Sequence, residues 1–289
     1  MMNTELLVFT EIDSHEAYLR YREQNAEELQ RRLTIERTLS AGKKPFCVPG
    51  FCYICNRHVE FRVDYSHSFE WEGELTPNYR EHLSCSGCGF NNRMRASVHV
   101  LDQKLKSKGR VYITEQITPL FKLLKKRIGK VVGSEYLGSK VKFGQCDKSG
   151  TRNESITKLS FPDCSFDVIM SFDVLEHVPD YKNGFKECYR VLNPGGQIQF
   201  TIPFTGLKNN ITRAEMNQNG TITHLQPAEY HGDPVKDEGC LCFHHFGWDL
   251  LDSLRTIGFV DVFALFYWSE YYGYMGKGEQ MLFIASRPK

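Results

Sequence analysis

The chain has 289 residues, of which 41% are hydrophobic and 25% charged, and its formal net charge is +1. This length suffices for one domain of about 150–200 residues and a smaller module. The near-neutral charge argues against nucleic acid as the main partner, and no run of about 18 apolar residues exists to span a membrane. The first residues lack the basic-then-apolar order of a signal peptide. We therefore expect a cytoplasmic protein with reduced cysteines.

The N-terminal part, residues 1–44, is predicted to be helical. Residues 13–40 read as one helix, in which Asp13 and Glu16 form a capping box and Ala17, Tyr21 and Leu29 lie on one apolar stripe. The other faces are dense in Arg and Glu. This pattern is typical of a helix that packs either on the core of its own chain or on a second copy in a homodimer.

Two C-x-x-C pairs, Cys52 with Cys55 and Cys85 with Cys88, define a second part, residues 45–96. Two residues between cysteines allow both thiolates to face one metal ion, and two such pairs complete a tetrahedral zinc site. Because four cysteines leave no open coordination position, we interpret this zinc site as structural. The alternatives are a disulfide pair and chance clustering. Aromatic and β-branched residues between the pairs predict short strands.

Three arginines, Arg80, Arg93 and Arg95, surround the second cysteine pair. They form either a basic rim that positions a phosphate-bearing substrate or a solvated face that pairs with nearby acids. The sequence leaves both interpretations open.

The third part, residues 97–289, begins with strand and helix patterns in alternation. Residues 110–114 and 130–134 are predicted strands, and residues 119–126 are a predicted helix that Thr118 caps and Pro119 begins. Glu135 follows the second strand, about 20 residues beyond the turn after the first. An acid at that place hydrogen-bonds the hydroxyls of a bound ribose.

Residues 165–203 carry the clearest pattern in the chain. An apolar strand at 166–172 is followed by a turn with Asp173, Glu176 and His177, and then by an amphipathic helix. Asn-Pro-Gly-Gly at 193–196 ends that helix, and residues 197–203 form the next strand. This order predicts one half of a doubly wound α/β sheet. Such sheets bind ligands beyond the carboxyl ends of their strands.

The runs FDVIMSFDVLEHVPD and YRVLNPGGQIQFTIP resemble the middle motifs of class I S-adenosylmethionine (SAM)-dependent methyltransferases of type 11. The resemblance extends upstream through LSFPDCSFD and downstream to the end of the chain. It implies an α/β fold with a Rossmann-like, seven-stranded doubly wound sheet, and transfer of a methyl group from SAM. The cysteine-containing part resembles N-terminal zinc-binding, zinc-ribbon-like regions of bacterial methyltransferases from glycan-biosynthesis gene clusters.

The resemblance and the strand ends together predict the cofactor-binding residues. Glu115 is expected to receive the ammonium group of SAM, and the helix start after Thr118 its carboxylate. In the family, an acid four residues before a leucine touches the adenine amine; here Ser155 stands at that position, with Glu154 beside it. The full predicted set is Glu115, Gln116, Thr118, Glu135, Tyr136, Glu154, Ser155, Phe172 and Asp173.

The turn after the first strand departs from the family. The family has acid-x-Gly-x-Gly there, whereas this chain has TEQITP, without glycine. Either the domain binds SAM without a glycine-rich turn, or it no longer binds SAM. In the second case the protein is a catalytically silent, methyltransferase-like scaffold whose zinc-binding part binds another protein.

His177 and Glu176 are the predicted catalytic residues. Methyl transfer is an in-line displacement at a sulfonium carbon, so an enzyme that acts on a hydroxyl needs orientation and a base. A histidine titrates near neutral pH and suits that role. The alternative is that His177 is a buried residue that braces the loop.

The segment after the strand at 197–203 is rich in polar and aromatic side chains, and it is predicted to wall the acceptor pocket. These side chains are His224, Glu229, Tyr230, His231, Asp233, His244, His245 and Trp248. His224, Tyr230, His231 and His245 are predicted to bind the acceptor, because aromatic rings stack on apolar faces and polar tips bind hydroxyls. We expect a small-molecule or carrier-linked acceptor, such as a sugar hydroxyl in glycan biosynthesis. A second metal site, formed by His231, Cys240, Cys242 and His244, is an alternative role for this segment.

Overall fold

The computed structural model describes residues 7–104, 109–232 and 239–289. The helices are α1 (His15–Gln24), α2 (Ala26–Ser40), α3 (Tyr79–His82), α4 (Asn92–Lys104), α5 (Pro119–Ile128), α6 (Tyr181–Val191) and α7 (Asp249–Ile257), with short 3-10 helices at Gly138–Lys140 and Leu175–His177. Within these described ranges, no helix has the length and apolar character needed to cross a membrane.

The strands are short outside the central sheet and longer within it. They are β1 (Val8–Ile12), β2 (Phe46–Cys52), β3 (Arg57–Val63), β4 (Phe69–Trp71), β5 (Glu74–Thr76), β6 (Leu83–Cys85), β7 (Val111–Ile113), β8 (Val131–Gly133), β9 (Phe166–Phe172), β10 (Leu192–Thr201), β11 (Ile211–Thr212), β12 (Ala214–Met216), β13 (Ile222–His224), β14 (Tyr230–His231), β15 (Cys240–Leu241), β16 (His244–His245), β17 (Val260–Trp268) and β18 (Gln280–Ser286).

Seven strands form the central sheet, in the order β1-β17-β18-β10-β9-β7-β8. The strands β8, β7, β9 and β10 run parallel to one another, whereas β18 is antiparallel to β10. The predicted seven-stranded α/β sheet is confirmed. Because β7, β8, β9 and β10 are parallel, their carboxyl ends meet at one end of the sheet, where folds of this kind bind ligands.

Local sequence accounts for the central strands. Phe166, Ile169 and Met170 of β9 are fully buried, as expected for a strand that is covered on both faces. The predicted turn at 193–196 lies within β10 as an irregularity, since the pairing of β10 with β9 shifts between Leu192 and Gln197.

The prediction for the N-terminal part is wrong in two respects. First, β1 precedes the helices and pairs antiparallel with β17, so one strand of the central sheet comes from residues predicted to be helical. Second, the single helix predicted for residues 13–40 is two helices, α1 and α2, which separate at Asn25. Asn25 leaves helical geometry, with φ −111° and ψ 15°, and its side chain and its backbone amide both donate to the carbonyl of Tyr21, at 2.9 and 3.0 Å.

The described residues group into two compact units. The first holds the described parts of Met1–Ile12, Glu16–Ser107 and Ala264–Leu282. In it, β2, β3 and β6 form an antiparallel sheet, which confirms the short strands predicted around the cysteine pairs. The second unit holds the described parts of Asp13–His15, Lys108–Phe263 and Phe283–Lys289. Helix α4 runs without a break across residues 96 and 97, where the second predicted part ends.

Helix α2 carries a buried carboxylate in the first unit. Glu36 is 4% exposed, and its Oε1 accepts from the indole N–H of Trp268 at 3.0 Å and from the amide of Gly276 at 2.7 Å. Its Oε2 accepts from the amide of Gly278 at 3.1 Å. Burial raises the pKa of Glu36, and these hydrogen bonds oppose that shift. The carboxylate therefore joins α2 to the chain around residues 276–278.

We expect Glu36→Ala to lower the free energy of unfolding by about 2 kcal/mol or more, because it leaves buried donors without an acceptor. Glu36→Gln should cost less, since its amide oxygen still accepts hydrogen bonds. Denaturant unfolding measures both changes. Glu27→Ala, at an exposed position of the same helix, is the control and should change stability by about 0.5 kcal/mol at most. Equal losses for the Glu36 and Glu27 variants would contradict the role of Glu36.

Candidate functional site

The turn after β7 is fixed by bonds to the neighbouring strand β9. The hydroxyl of Thr114 donates to Oγ of Ser171 at 3.1 Å, and the amide of Thr114 donates to the carbonyl of Met170 at 3.0 Å. At the other end of the turn, the side chain of Thr118 accepts from the amide of Phe121 at 3.3 Å. The predicted cap of α5 is therefore confirmed.

This turn contains no glycine, but a glycine lies against it on the adjacent strand. A Cβ atom on Gly133, the last residue of β8, would lie 2.6 Å from the carbonyl oxygen of Glu115 and 2.6 Å from the ring of Phe121. Contacts this short do not occur, so the position requires glycine. Gly133 thus allows β8 to lie directly against the turn. Its signal in the sequence is a glycine within a predicted strand, two residues before an acid.

Glu135, the predicted ribose ligand, also organises this turn. It is 8% exposed, and its Oε1 accepts from the amides of Gln116 at 2.6 Å and Ile117 at 3.0 Å. The side chain of Gln116 donates to the carbonyl of Gly150 and accepts from the amide of Arg152, both at 2.8 Å. Side-chain hydrogen bonds thus hold the turn in the place where the family uses glycines.

Three large apolar side chains near this acid are exposed. The exposed fractions are 40% for Ile117, 57% for Tyr136 and 38% for Phe143, and the ring centroids of the two aromatic residues lie 6.5 Å apart. Exposed apolar residues that gather at one place mark a binding surface. Aromatic faces of this kind suit a flat heteroaromatic ring.

The two residues predicted near adenine have different surroundings. Glu154 is 3% exposed, and it accepts from Nε of Arg152 at 2.8 Å and from the amide of Ser160 at 2.9 Å. Its carboxylate therefore stabilises its own loop. Ser155 is half-buried, and its hydroxyl lies 2.9 Å from that of Thr157. Of the two side chains, Ser155 is the better placed to meet a ligand.

Strand β9 ends in Phe172, which is buried, and in a residue with unusual backbone geometry. Asp173 has a φ of 53°, a value that is rare outside glycine and that clusters at functional sites. Its Oδ1 accepts from the hydroxyl of Thr201 at 3.1 Å, and its amide donates to the carbonyl of the same residue at 3.0 Å. These bonds hold the chain where it enters the short helix Leu175–His177.

Glu176 and His177 lie side by side in that short helix. Glu176 is fully buried, and neither of its carboxylate oxygens has a hydrogen-bond partner among the described residues. Burial raises the pKa of this carboxyl group. His177 donates from Nδ1 to the carbonyl of Leu241 at 2.9 Å, and its Nε2 lies 3.7 Å from Oε1 of Glu176. In neutral His177, the lone pair is therefore on Nε2, on the side of the carboxylate.

A second acid and two histidines extend this arrangement. Nδ1 of His231 lies 3.7 Å from Oε1 of Glu176, and its Nε2 donates to Oε1 of Glu229 at 2.9 Å. The same oxygen is 3.0 Å from Nε2 of His245, and Arg213 pairs with Oε2 of Glu229 at 3.1 Å. No local pattern in the sequence indicates that Arg213 belongs to this network.

The acidic side chains of this network favour a positive charge on His231, which lies between Glu176 and Glu229. The side chains of Cys242 and Glu176 raise the pKa of His231 to about 11. The ligand atoms of Glu176, His177 and His231 all lie within 4.8 Å of one another. Three potential metal ligands therefore surround one small space.

The structure brings only some of the predicted acceptor residues together. His231 and His245 belong to the network described above, whereas His224 is exposed on the β12–β13 hairpin and Tyr230 is 60% exposed. The metal site considered for His231, Cys240, Cys242 and His244 does not form among the described residues, where Nε2 of His244 lies 3.1 Å from the carbonyl of Pro179. Asp233 lies outside the described residues.

The four cysteines of the two C-x-x-C pairs meet in the first unit. The Sγ–Sγ distance is 3.8 Å both for Cys52 with Cys88 and for Cys55 with Cys85, which is too long for a disulfide bond. Sulfur ligands about 2.3 Å from a tetrahedral ion are separated by about 3.8 Å. The backbone amides of Cys55 and Gly87 point at Sγ of Cys52 and Cys85. The donor set and its dimensions fit a zinc ion.

The arginines near the second cysteine pair do not form a basic rim. Arg95 is fully buried, and its guanidinium donates to backbone carbonyls, among them that of Gly273 at 3.0 Å. Arg80 and Arg93 both pair with Glu81, at 2.7 and 2.8 Å. The substrate-binding interpretation is wrong, because the guanidinium groups are already engaged within the protein.

The segment that carries the second-unit site can now be compared with known proteins. Residues 117–200 match the family described as a methyltransferase domain. The fold is that of class I methyltransferases. The matched range runs from the turn after β7 to the end of β10, and it includes Glu135, Asp173, Glu176 and His177.

Curated relatives match over short stretches. Over 52 residues the chain is 40% identical to a probable SAM-dependent methyltransferase of Mycolicibacterium smegmatis, covering 18% of this chain and 20% of that protein. Over 36 residues it is 50% identical to a ubiquinone biosynthesis O-methyltransferase of Pseudomonas putida, covering 12% of this chain and 16% of that protein. The matches thus span a fifth or less of the length of these relatives.

Solved structures are similar over longer ranges but at low identity. A SAM-dependent methyltransferase from Mesorhizobium loti is 20% identical, with a TM-score of 0.37, over 58% of this chain and 82% of that one. A putative SAM-dependent methyltransferase from Listeria monocytogenes is 9% identical, with a TM-score of 0.41, over 68% and 99% of the two chains.

Gly133→Ala should lower the free energy of unfolding by about 1–3 kcal/mol, because the added methyl group overpacks the contact with the turn after β7. Denaturant unfolding measures the loss. Gly42→Ala is the matched control, since a Cβ there has nothing within 4 Å. A Gly133→Ala protein as stable as the Gly42→Ala protein would show that the close approach is not required.

Proposed function

We propose that this protein is a SAM-dependent methyltransferase that acts on a hydroxyl of a small-molecule or carrier-linked acceptor. The observation that carries the proposal is the match of residues 117–200 to the methyltransferase domain family, because that range contains both Glu135 and the Glu176–His177 pair. A sugar hydroxyl in glycan biosynthesis is the acceptor that we favour. Histidines and tyrosine among aromatic residues suit such a ligand.

The residues around the turn after β7 support a cofactor site. When bound, SAM supplies the methyl group that is transferred. Glu135 lies where an acid binds ribose hydroxyls, and the exposed faces of Ile117 and Tyr136 suit the adenine ring. The start of α5, capped by Thr118, favours the carboxylate of the methionine part. Glu115, at the same turn, is the group that we assign to its ammonium.

The Glu176–His177 pair supports an acceptor site beyond β9. The hydrogen bond from Nδ1 of His177 to Leu241 leaves Nε2 with a lone pair, and a lone pair at that position can interact with an acceptor hydroxyl. His231 and His245 come from the segment predicted to wall the acceptor pocket, and both reach Glu229. We assign acceptor binding to this group of side chains.

The cysteine site has a structural role in this proposal. Four thiolates leave no open position on a bound zinc ion. Cys52 ends β2 and Cys85 ends β6, and both strands pair with β3 in the first unit. Zinc there stabilises a small sheet and takes no part in methyl transfer. Arg95, buried among backbone carbonyls, adds positive charge near the thiolates.

Calorimetry with S-adenosylhomocysteine should show one binding site, and Glu135→Gln should weaken it by about tenfold or more, because a charged hydrogen-bond acceptor is lost. Glutamine keeps an oxygen that accepts from the amides of Gln116 and Ile117, so the turn is preserved. Glu16→Gln, at an exposed position, is the control and should bind like the wild type. Absence of binding heat with the wild-type protein at high ligand concentration would refute the proposed function and favour a silent scaffold.

Cys85→Ser should remove one equivalent of bound zinc and lower the midpoint of thermal unfolding, because the remaining thiolates no longer complete the site. Metal analysis and a thermal melt measure the two effects. Cys47→Ser is the matched control, since Cys47 is exposed on β2 and outside the four-cysteine site. Equal zinc content in the two variants would exclude zinc at this site.

A further inference from the structure

The buried carboxylate of Glu176 faces two imidazoles at 3.7 Å, near the limit of an ion pair. Its side chain is fully buried, and within the described ranges both oxygens lack a hydrogen-bond partner. A buried charge is tolerated when it is paired and hydrogen-bonded or when it binds a metal ion. The two imidazoles that face it are too far away to pair with it by hydrogen bonds, because their nitrogens lie 3.7 Å from Oε1.

These distances suit a shared cation. Ligand atoms about 2.1 Å from a tetrahedrally coordinated ion lie about 3.4 Å apart. The separations of Oε1 of Glu176 from Nε2 of His177 and from Nδ1 of His231 are close to that value, and all three atoms lie within 4.8 Å of one another. One carboxylate oxygen and two imidazole nitrogens are a donor set that divalent transition-metal ions bind.

Each histidine has its other nitrogen held by an acceptor. Nδ1–H of His177 donates to the carbonyl of Leu241 at 2.9 Å, and Nε2–H of His231 donates to the carboxylate of Glu229 at 2.9 Å. Glu229 is itself held by Arg213 and His245. Metal-binding histidines almost always have such an outer partner, which fixes the tautomer and turns the free lone pair toward the metal.

We propose that Glu176, His177 and His231 bind a divalent transition-metal ion, with at least one coordination position open to a ligand. This site is separate from the four cysteines, which belong to the first unit. An alternative occupant of the space is a proton, carried by His231 or by Glu176 itself. A proton leaves the second oxygen of Glu176 without a partner, whereas a metal ion neutralises the whole carboxylate.

The role of this metal rests on the proposed function. An acceptor hydroxyl that takes the open position becomes more acidic and loses its proton to solvent. Its oxygen then forms the bond to the methyl carbon as the bond from sulfur to that carbon breaks, and the sulfonium becomes a neutral thioether. The site therefore selects acceptors that present an oxygen ligand to the metal. His177 binds the metal in this scheme and is not the general base.

Metal content of the full chain tests the site without SAM or acceptor. After incubation with excess Zn²⁺ and dialysis, we expect two equivalents in the wild type and one in Glu176→Gln and His231→Asn. His224→Asn is the matched control, because this exposed histidine lies in the same segment but outside the three ligands; it should keep two equivalents. With Co²⁺, the thiolate charge-transfer bands of the cysteine site should persist in Glu176→Gln while the bands of the oxygen–nitrogen site disappear.

A wild-type protein that binds no metal beyond the equivalent held by the four cysteines, with Zn²⁺, Co²⁺ or Mn²⁺ supplied, would overturn the proposal, as would Glu176→Gln and His231→Asn proteins that keep two equivalents of Zn²⁺. Should Glu176→Gln fail to fold, Glu229→Gln decides, since it leaves all three ligands in place and should weaken the second equivalent about 10- to 100-fold. Unchanged affinity in that variant would contradict the outer-partner arrangement. Two equivalents of metal without S-adenosylhomocysteine binding would keep the metal site and remove only its role in methyl transfer.

Discussion

Buried carboxylates are the constraint on which both units of this structure depend. A carboxylate taken out of water must be met by donors, by a cation or by a proton. Glu36 is met by an indole and two backbone amides. Glu154 is met by Arg152 and Ser160. Glu36 joins segments that are far apart in the sequence, and Glu154 stabilises its own loop. Both acids therefore have a structural role.

Glu135 and Glu176 differ from those acids in a way that indicates function. Glu135 uses one oxygen to hold the turn after β7, and it lies among exposed apolar side chains at the carboxyl ends of parallel strands. Glu176 has no hydrogen-bond partner among the described residues, and it faces two imidazoles across a gap of 3.7 Å. An empty space between the Glu176 carboxylate and the two imidazoles would not stabilise the protein. A ligand bound in that space would explain the arrangement.

The sequence predicted the elements well wherever the signal was local. Strand β9 and the cap of α5 follow from patterns that lie within a few residues of one another. The predictions that were wrong concern features that depend on tertiary contacts. Residues 8–12 form a strand because β17 offers them a partner, and the predicted N-terminal helix is interrupted at Asn25, where the backbone leaves helical geometry. Arg95 is a basic residue by type, yet it is fully buried among carbonyls.

The C-x-x-C pairs, the α/β alternation and the Glu176–His177 motif can all be predicted from the sequence alone. These depend on spacing along the chain, so short-range geometry suffices to predict them. Which of these parts come into contact depends on the tertiary structure. Gly133 lets β8 lie directly against the glycine-free turn, and His231 approaches Glu176 from more than 50 residues away in the sequence. Such meetings depend on how the whole chain packs, and no local pattern encodes them.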